Sequence, residues 1–317
     1  MRLVRSLNRW ATAVPPVAAV AALVVLQFAV AIALGHGQGW HHSTGGAALA
    51  AFLLAVEVLL LYAVAHRIGG RVAALFAGLL FVLAPVVLAK HYFVTGGPNL
   101  DYRTVYRHAV LPTAYGLTGR AELVAACLLL ASAWLALAPP RIPPLVAAAG
   151  SGAAAGGAVL AFPHAWLAVC APVLAAAASR KPLPVAAAAA TAGAGLLALA
   201  LFRTVPHVPF GWHEMGRSLG GVREYTWSRR ILEYLPLAGL VGLARRSPRA
   251  ALFAGTLLVA LVILPLARPL DLTGYLLAIV PGLPIYWLLA ACIPFLVPRR
   301  RHVAVAGGDT VHVTSPQ

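Results

Sequence analysis

The side chains able to do chemistry in this chain are few, and they cluster. Eight carboxylates stand against 24 lysines and arginines. Asp101 lies in the segment 91–120 with Tyr102, Arg103, Arg107 and Arg120, and Glu224 lies in 204–230 with Arg223, Arg229 and Arg230. An acid set among arginines suits a site for an amphiphile with an anionic head group. Arginine's planar fork holds phosphate well. Aromatic residues accompany both groups, Phe210, Trp212, Tyr225 and Trp227 in the second, and could line a lipid tail or a sugar face.

Plainer readings exist for the same residues. An aromatic belt with snorkelling arginines needs no ligand. Asp101 could cap the short interfacial helix that the spacing after Leu100 suggests, and Glu224 could belong to a surface ion-pair network. Glu122 and Glu233 each stand where a helix is expected to begin, and the positive end of the helix explains them.

Glu57 is a separate case, because it falls near the middle of an apolar run. Such an acid is protonated, paired across helices, or lining a water-filled path. His36, His41 and His42 could serve as a base or hold a metal, but flanking glycines give them no rigid geometry. Cys127, Cys170 and Cys292 match no zinc or redox spacing, and all three are expected to pack in the core. No cofactor is required by these residues, and a divalent cation stays open.

The elements that must position these groups are membrane helices. Hydrophobic residues make up 61% of the 317, mean hydropathy is +0.87, and windows such as Val17 to Leu34, Val72 to Leu88 and Ala250 to Leu266 carry no charge. A bilayer core of about 30 Å takes roughly 20 apolar residues of helix. The expected fold is therefore all-α, a polytopic transmembrane helical bundle of about ten spans. They cover approximately 11–35, 46–65, 72–90, 121–138, 144–161, 165–179, 184–203, 231–244, 250–267 and 274–297. The first is read as a retained helix, since its apolar stretch is longer than a signal peptide's and lacks a cleavage site.

Charge sorting gives an orientation. Fourteen cations, among them Arg2, Arg5, Arg9, Arg67, Arg71, Arg180, Arg245, Arg246 and Arg249, fall in one alternating set of gaps with the single acid Asp309. Ten cations and the six acids Asp101, Glu122, Glu214, Glu224, Glu233 and Asp271 fall in the other. The first set is expected to face the cytoplasm, with both termini, in a multi-pass plasma-membrane protein. Residues 1–298 then form one transmembrane domain with external loops about 91–120 and 204–230, and 299–317 form a cytoplasmic tail. Membrane lipids are expected partners, with anionic ones attracted by the charge. Nucleic acid is not, for want of a soluble basic domain.

Small residues crowd Ala147 to Ala158 and Ala186 to Gly195. They permit close helix contact, within the chain or between two copies. Pro163 and His164 mark a break, read as a tight turn.

The stretches LYAVAHRIGGRVAALFAGLLFVLAPVVL and AYGLTGRAELVAACLLLASAWLAL, between Leu61 and Leu137, resemble the core of integral-membrane glycosyltransferases of the GT-C type. Protein mannosyltransferases and aminoarabinose transferases belong to that group. A basic, glycine-containing hairpin before a small-residue-rich helix ending in proline, here His66 to Pro85, carries the likeness. YLLAIVPGLPIYWLLAACIPFLVPRRR is similar to the family's closing helix, and VREYTWSRRILEYLPLAGLVGLARR to segments of bacterial members.

The resemblance implies a GT-C-like enzyme moving a sugar from a polyprenyl-phosphate donor at the external face, with a loop carboxylate as base. This chain departs from that pattern in its first external loop, GHGQGWHHSTGG, which holds no acid. Asp101 in the second loop is then the candidate catalytic residue. Tyr102, Arg103, Arg107, Arg120, Arg223, Glu224, Arg229 and Arg230 are the candidate substrate-binding residues. The alternative is a non-catalytic membrane protein or transporter with a polar path near Glu57.

Overall fold

A computed structural model describes residues 15–35, 44–95, 120–137, 141–202, 231–264 and 280–296. These are helical, and no strand occurs among them. The helices are α1 (Pro16–Gly35), α2 (Thr44–Thr95), α3 (Arg120–Ala136), α4 (Pro144–Ala161), α5 (Cys170–Ala177), α6 (Pro182–Phe202), α7 (Ile231–Arg246), α8 (Pro248–Leu258) and α9 (Leu283–Ala290). α4 keeps its expected limits and α3, α6 and α7 come within two residues of theirs, while the last expected span, 274–297, is described only from Val280 and holds an α-helix of eight residues, Leu283–Ala290. Three segments, Leu49–Leu83, Pro144–Ala161 and Pro182–Phe202, are long and apolar enough to cross a membrane.

Proline and serine set many of the starts. Pro144, Pro248 and Pro284 stand in the first turn of their helices, where the missing N–H is no loss. Ser247 caps α8 by accepting a hydrogen bond from the Ala250 amide, satisfying one of the donors a helix start leaves open.

α2 is two helices joined at Gly70. That residue has φ 79° and ψ −169°, a conformation glycine adopts without penalty. A Cβ placed on Gly69 would collide with the Cβ of Ala73, whereas residues four apart in an unbroken helix keep their Cβ atoms about 5–6 Å apart. The chain therefore turns sharply here, and the connection expected between the second and third spans shrinks to a single residue. Both halves bury side chains in one core, Leu61, Val64, Ala65 and Ile68 from the first and Ala74, Ala77 and Val82 from the second.

The segment expected at 165–179 begins earlier and differently. A 3-10 stretch, Pro163–Val169, leads into α5, so the break at Pro163 continues as helix of another pitch. Because a 3-10 turn rises about 2.0 Å per residue against 1.5 Å, these 15 residues extend about 26 Å. A short segment thus approaches the thickness of a bilayer core.

A close seam joins α4 and α6. Gly156 and Gly195 meet backbone to backbone, so a Cβ on Gly195 would collide with Gly156. Thr191 Oγ1 donates to the Ala149 carbonyl at 2.9 Å. The two small-residue runs are thus faces of one intramolecular contact, the form that close packing takes where lipid is the solvent.

Outside the core the surface is apolar. Leu183 is 72% exposed, Leu201 70% and Phe202 82%, a face that water would not tolerate over a whole helix and lipid would. Together with the three long apolar segments this marks an α-helical membrane protein. One expectation fails here. Cys127 and Cys292 are buried, but Cys170 is exposed, because it projects from α5 away from its neighbours; an apolar span has no polar face to show which side packs inward.

Candidate functional site

Most residues expected to do chemistry lie outside the described residues. This holds for Asp101, Tyr102, Arg103 and Arg107 in the first segment and for Arg223, Glu224, Arg229 and Arg230 in the second; the histidines of the first loop lie outside them too. Arg120 is the first residue of α3, and Glu122 stands in its first turn. Among the described residues no cluster of three metal-binding side chains occurs.

What the helices do show is where those segments are attached. Arg67 Nη1 donates to the Leu137 carbonyl at 2.6 Å, just past the end of α3. Arg246 Nε donates to the Ile68 carbonyl at 2.6 Å, and Arg245 Nη1 to the Leu296 carbonyl at 2.8 Å. Each arginine covers a carbonyl that a terminating helix leaves without an N–H, at the negative end of the helix dipole. Two also lie over aromatic rings, Arg67 at 4.6 Å from the Trp134 centroid and Arg246 at 4.9 Å from that of Phe295, which adds a cation–π attraction. Cations grouped by charge sorting alone therefore meet at one end of the bundle and tie the C-terminal ends of α3, α7, the first half of α2 and the 3-10 turn Ile293–Leu296 together.

The far ends of α3 and α7 are Arg120 and Ile231. Each lies about 25 Å along its helix from the arginine-tied end. Residues 96–119 run into Arg120 and residues 203–230 into Ile231, so both segments bearing candidate site residues join helices at ends remote from that cluster.

Glu57 lies within the bundle and is 2% exposed. It continues the stripe Ala50, Leu53, Leu54 that packs against Leu123 and Cys127 of α3, the three- and four-residue spacing that puts side chains on one helical face. Cys127 Sγ donates to the Leu53 carbonyl at 3.3 Å, one turn before Glu57.

Two polar features went unrecognised in the sequence. Ser132 on α3 and Ser151 on α4 are buried and bonded to each other. Gln27 on α1 is 1% exposed with neither side-chain polar atom bonded. The available signal was simple: Gln27 is the one polar side chain in α1.

No family model matches the chain, and neither a curated protein nor a solved structure matches it.

Proposed function

We propose that the chain is a GT-C-like membrane glycosyltransferase of about ten spans. It takes sugar from a polyprenyl-phosphate donor at the face opposite the arginine-tied end. The arginine-tied end is cytoplasmic by its excess of cations, and both termini share that side. Asp101 accepts the acceptor's proton. Arg103, Arg107 and Arg120, with Arg223, Arg229 and Arg230, neutralise the departing phosphate. Tyr102 and Glu224 orient substrate.

The observation that supports this reading most is the attachment of residues 96–119 and 203–230 to helix ends remote from the tied arginines. Both chemistry-bearing segments can then share one membrane face, where a lipid-linked donor presents its head group. The competing reading, a transporter or non-catalytic membrane protein, draws on the buried carboxyl of Glu57.

The test is transfer of labelled sugar from polyprenyl-phosphate donors by membranes carrying the chain or its Asp101→Asn variant. A general base contributes about 10²–10⁴-fold, and a loss of that order in the variant is expected. Equal transfer by both would remove Asp101 as the base, and no transfer from any donor would remove the enzyme reading.

A further inference from the structure

The hairpin of α7 and α8 leaves one long face uncovered. Only Ser247 separates the two helices, and a Cβ on Gly255 would come within 3.3 Å of the Leu240 side chain. The helices are therefore antiparallel and in contact, with Leu240 and Gly255 level in the seam. Leu237 and Val241 stand beside Leu240, and Leu252 and Val259 beside Gly255; all four are exposed. At 3.6 residues per turn, with the helices running in opposite directions, both rows fall on the same side of the seam.

Two arginines head that face. Arg245 lies four residues beyond Val241 and Arg249 three before Leu252, spacings that keep each on its row. Arg246 falls on the other side, where it donates to Ile68. Arg245 donates Nη1 to the Leu296 carbonyl, a neutral acceptor that engages one of five N–H groups and cancels none of the charge. Arg249 is half-buried, and its Nε has no hydrogen-bond partner among the described residues. Buried donors are nearly always bonded, so this one calls for an acceptor.

The acids of the chain give these charges little compensation. Glu233 and Glu122 stand at the far ends of α7 and α3, and Glu57 lies about 20 Å along α2 from the turn at Gly70. Asp101, Glu214, Glu224 and Asp271 belong to segments joined to helix ends remote from the arginines. Asp309 alone belongs to the segment that follows Leu296 at this end, and Arg299, Arg300 and Arg301 precede it there. The apolar rows run about 12–15 Å inward from their arginines, the depth of one leaflet of a bilayer core about 30 Å thick. A zwitterionic head group would bring its own cation against the pair, whereas an anionic one brings only the acceptor.

We propose that Arg245 and Arg249 bind the phosphate of an anionic phospholipid whose acyl chains lie along Leu237 and Val241 and along Leu252 and Val259. The phosphodiester oxygens accept from both guanidinium groups and give Arg249 Nε its acceptor. The lipid covers the open side of the hairpin and offsets the charge gathered at the arginine-tied end. This site is independent of the enzyme reading and belongs to the opposite face of the bundle.

The test is photolabelling of the full chain in phosphatidylcholine vesicles that contain phosphatidylglycerol with a diazirine in one acyl chain. Phosphatidylcholine carrying the same diazirine serves as the reference, and labelled peptides are mapped by mass spectrometry. Peptides of α7 and α8 are expected to take more label from phosphatidylglycerol than from the reference, and unlabelled phosphatidylglycerol should displace it. The preference should fall about fivefold in Arg245→Gln and again in Arg245→Gln/Arg249→Gln, the contribution of one arginine each at an anionic surface. Arg245→Lys keeps the charge and should keep most of the preference. Equal labelling by the two lipids, or a preference that survives the double substitution, overturns the site. A loss in Arg245→Lys as large as in Arg245→Gln overturns it too, since the charge is then not what binds. If excess inorganic phosphate abolishes the preference, the arginines hold a free anion; if Asp309→Asn raises it several-fold, they hold the tail of the chain. Either result removes the lipid as occupant.

Discussion

Arg246 and Ile68 are 178 residues apart in sequence, and the Nε of one donates to the backbone carbonyl of the other at 2.6 Å. The bond ties the end of α7 to the last turn before Gly70, and Phe295 lies under the same guanidinium. A cation at the end of one helix thus also closes the end of another.

Replacing Arg246 by alanine removes the charge-assisted bond and the ring contact together. The expected loss is about 1–2 kcal/mol in reversible unfolding from mixed micelles. Arg246→Lys keeps the charge but lacks the fork and the flat face, so it should recover less than half. Arg180 sits exposed beyond the end of α5 with φ 56°, and Arg180→Gly is expected to be neutral or slightly stabilising, since glycine adopts that conformation freely.

Ser132 and Ser151 make a reciprocal pair. Each hydroxyl reaches the other residue's carbonyl, at 2.7 and 2.8 Å, and the two oxygens lie 3.0 Å apart. Interhelical hydrogen bonds in membranes average about 0.6 kcal/mol and reach about 1.7. Ser132→Ala and Ser151→Ala should each cost about 1 kcal/mol, and the double variant clearly less than the two together. Additive losses would show that the pair is not coupled.

The α4–α6 seam makes a sharper forecast because neighbouring glycines behave differently. A side chain at Gly195 meets the backbone of Gly156, while one at Gly193 meets nothing within 4 Å. Gly195→Leu should therefore cost about 3 kcal/mol through overpacking of two backbones that cannot retreat. Gly193→Ala should be neutral or stabilising by up to about 0.8 kcal/mol, the helix-propensity difference. Similar losses at both positions would mean that the seam is not the close contact described.

Much of this architecture could be read from the sequence because membrane spans are a matter of length and hydropathy. The limits of α4 and α6, the break at Pro163 and the small-residue stripes were all visible. Which face of each helix packs inward was not, because a span apolar all round carries no periodic signal; hence Cys170 was assigned to the core and lies outside it. Gln27 escaped for a related reason: one carboxamide among nineteen apolar neighbours barely alters mean hydropathy, yet its burial cost is large. The candidate site rests on residue chemistry around Asp101 and Arg223, which lie outside the described residues, and the helices contribute only the ends to which those segments are joined.

Those ends yield a topological prediction that needs no enzymatic assay. Ala244 is exposed beside Arg245 at the arginine-tied end, and Thr104 and Ser218 belong to the segments joined to the far ends of α3 and α7. In a chain whose three native cysteines are replaced by alanine, single cysteines at these positions report sidedness with a membrane-impermeant maleimide on intact cells. Thr104→Cys and Ser218→Cys should be labelled from outside, and Ala244→Cys only after the membrane is opened. The positive-inside rule sets this direction, since arginines beside short connections resist translocation. Labelling of Ala244→Cys in intact cells would reverse the orientation. Labelling of Thr104→Cys and Ser218→Cys from opposite sides would break the shared face on which the glycosyltransferase reading depends.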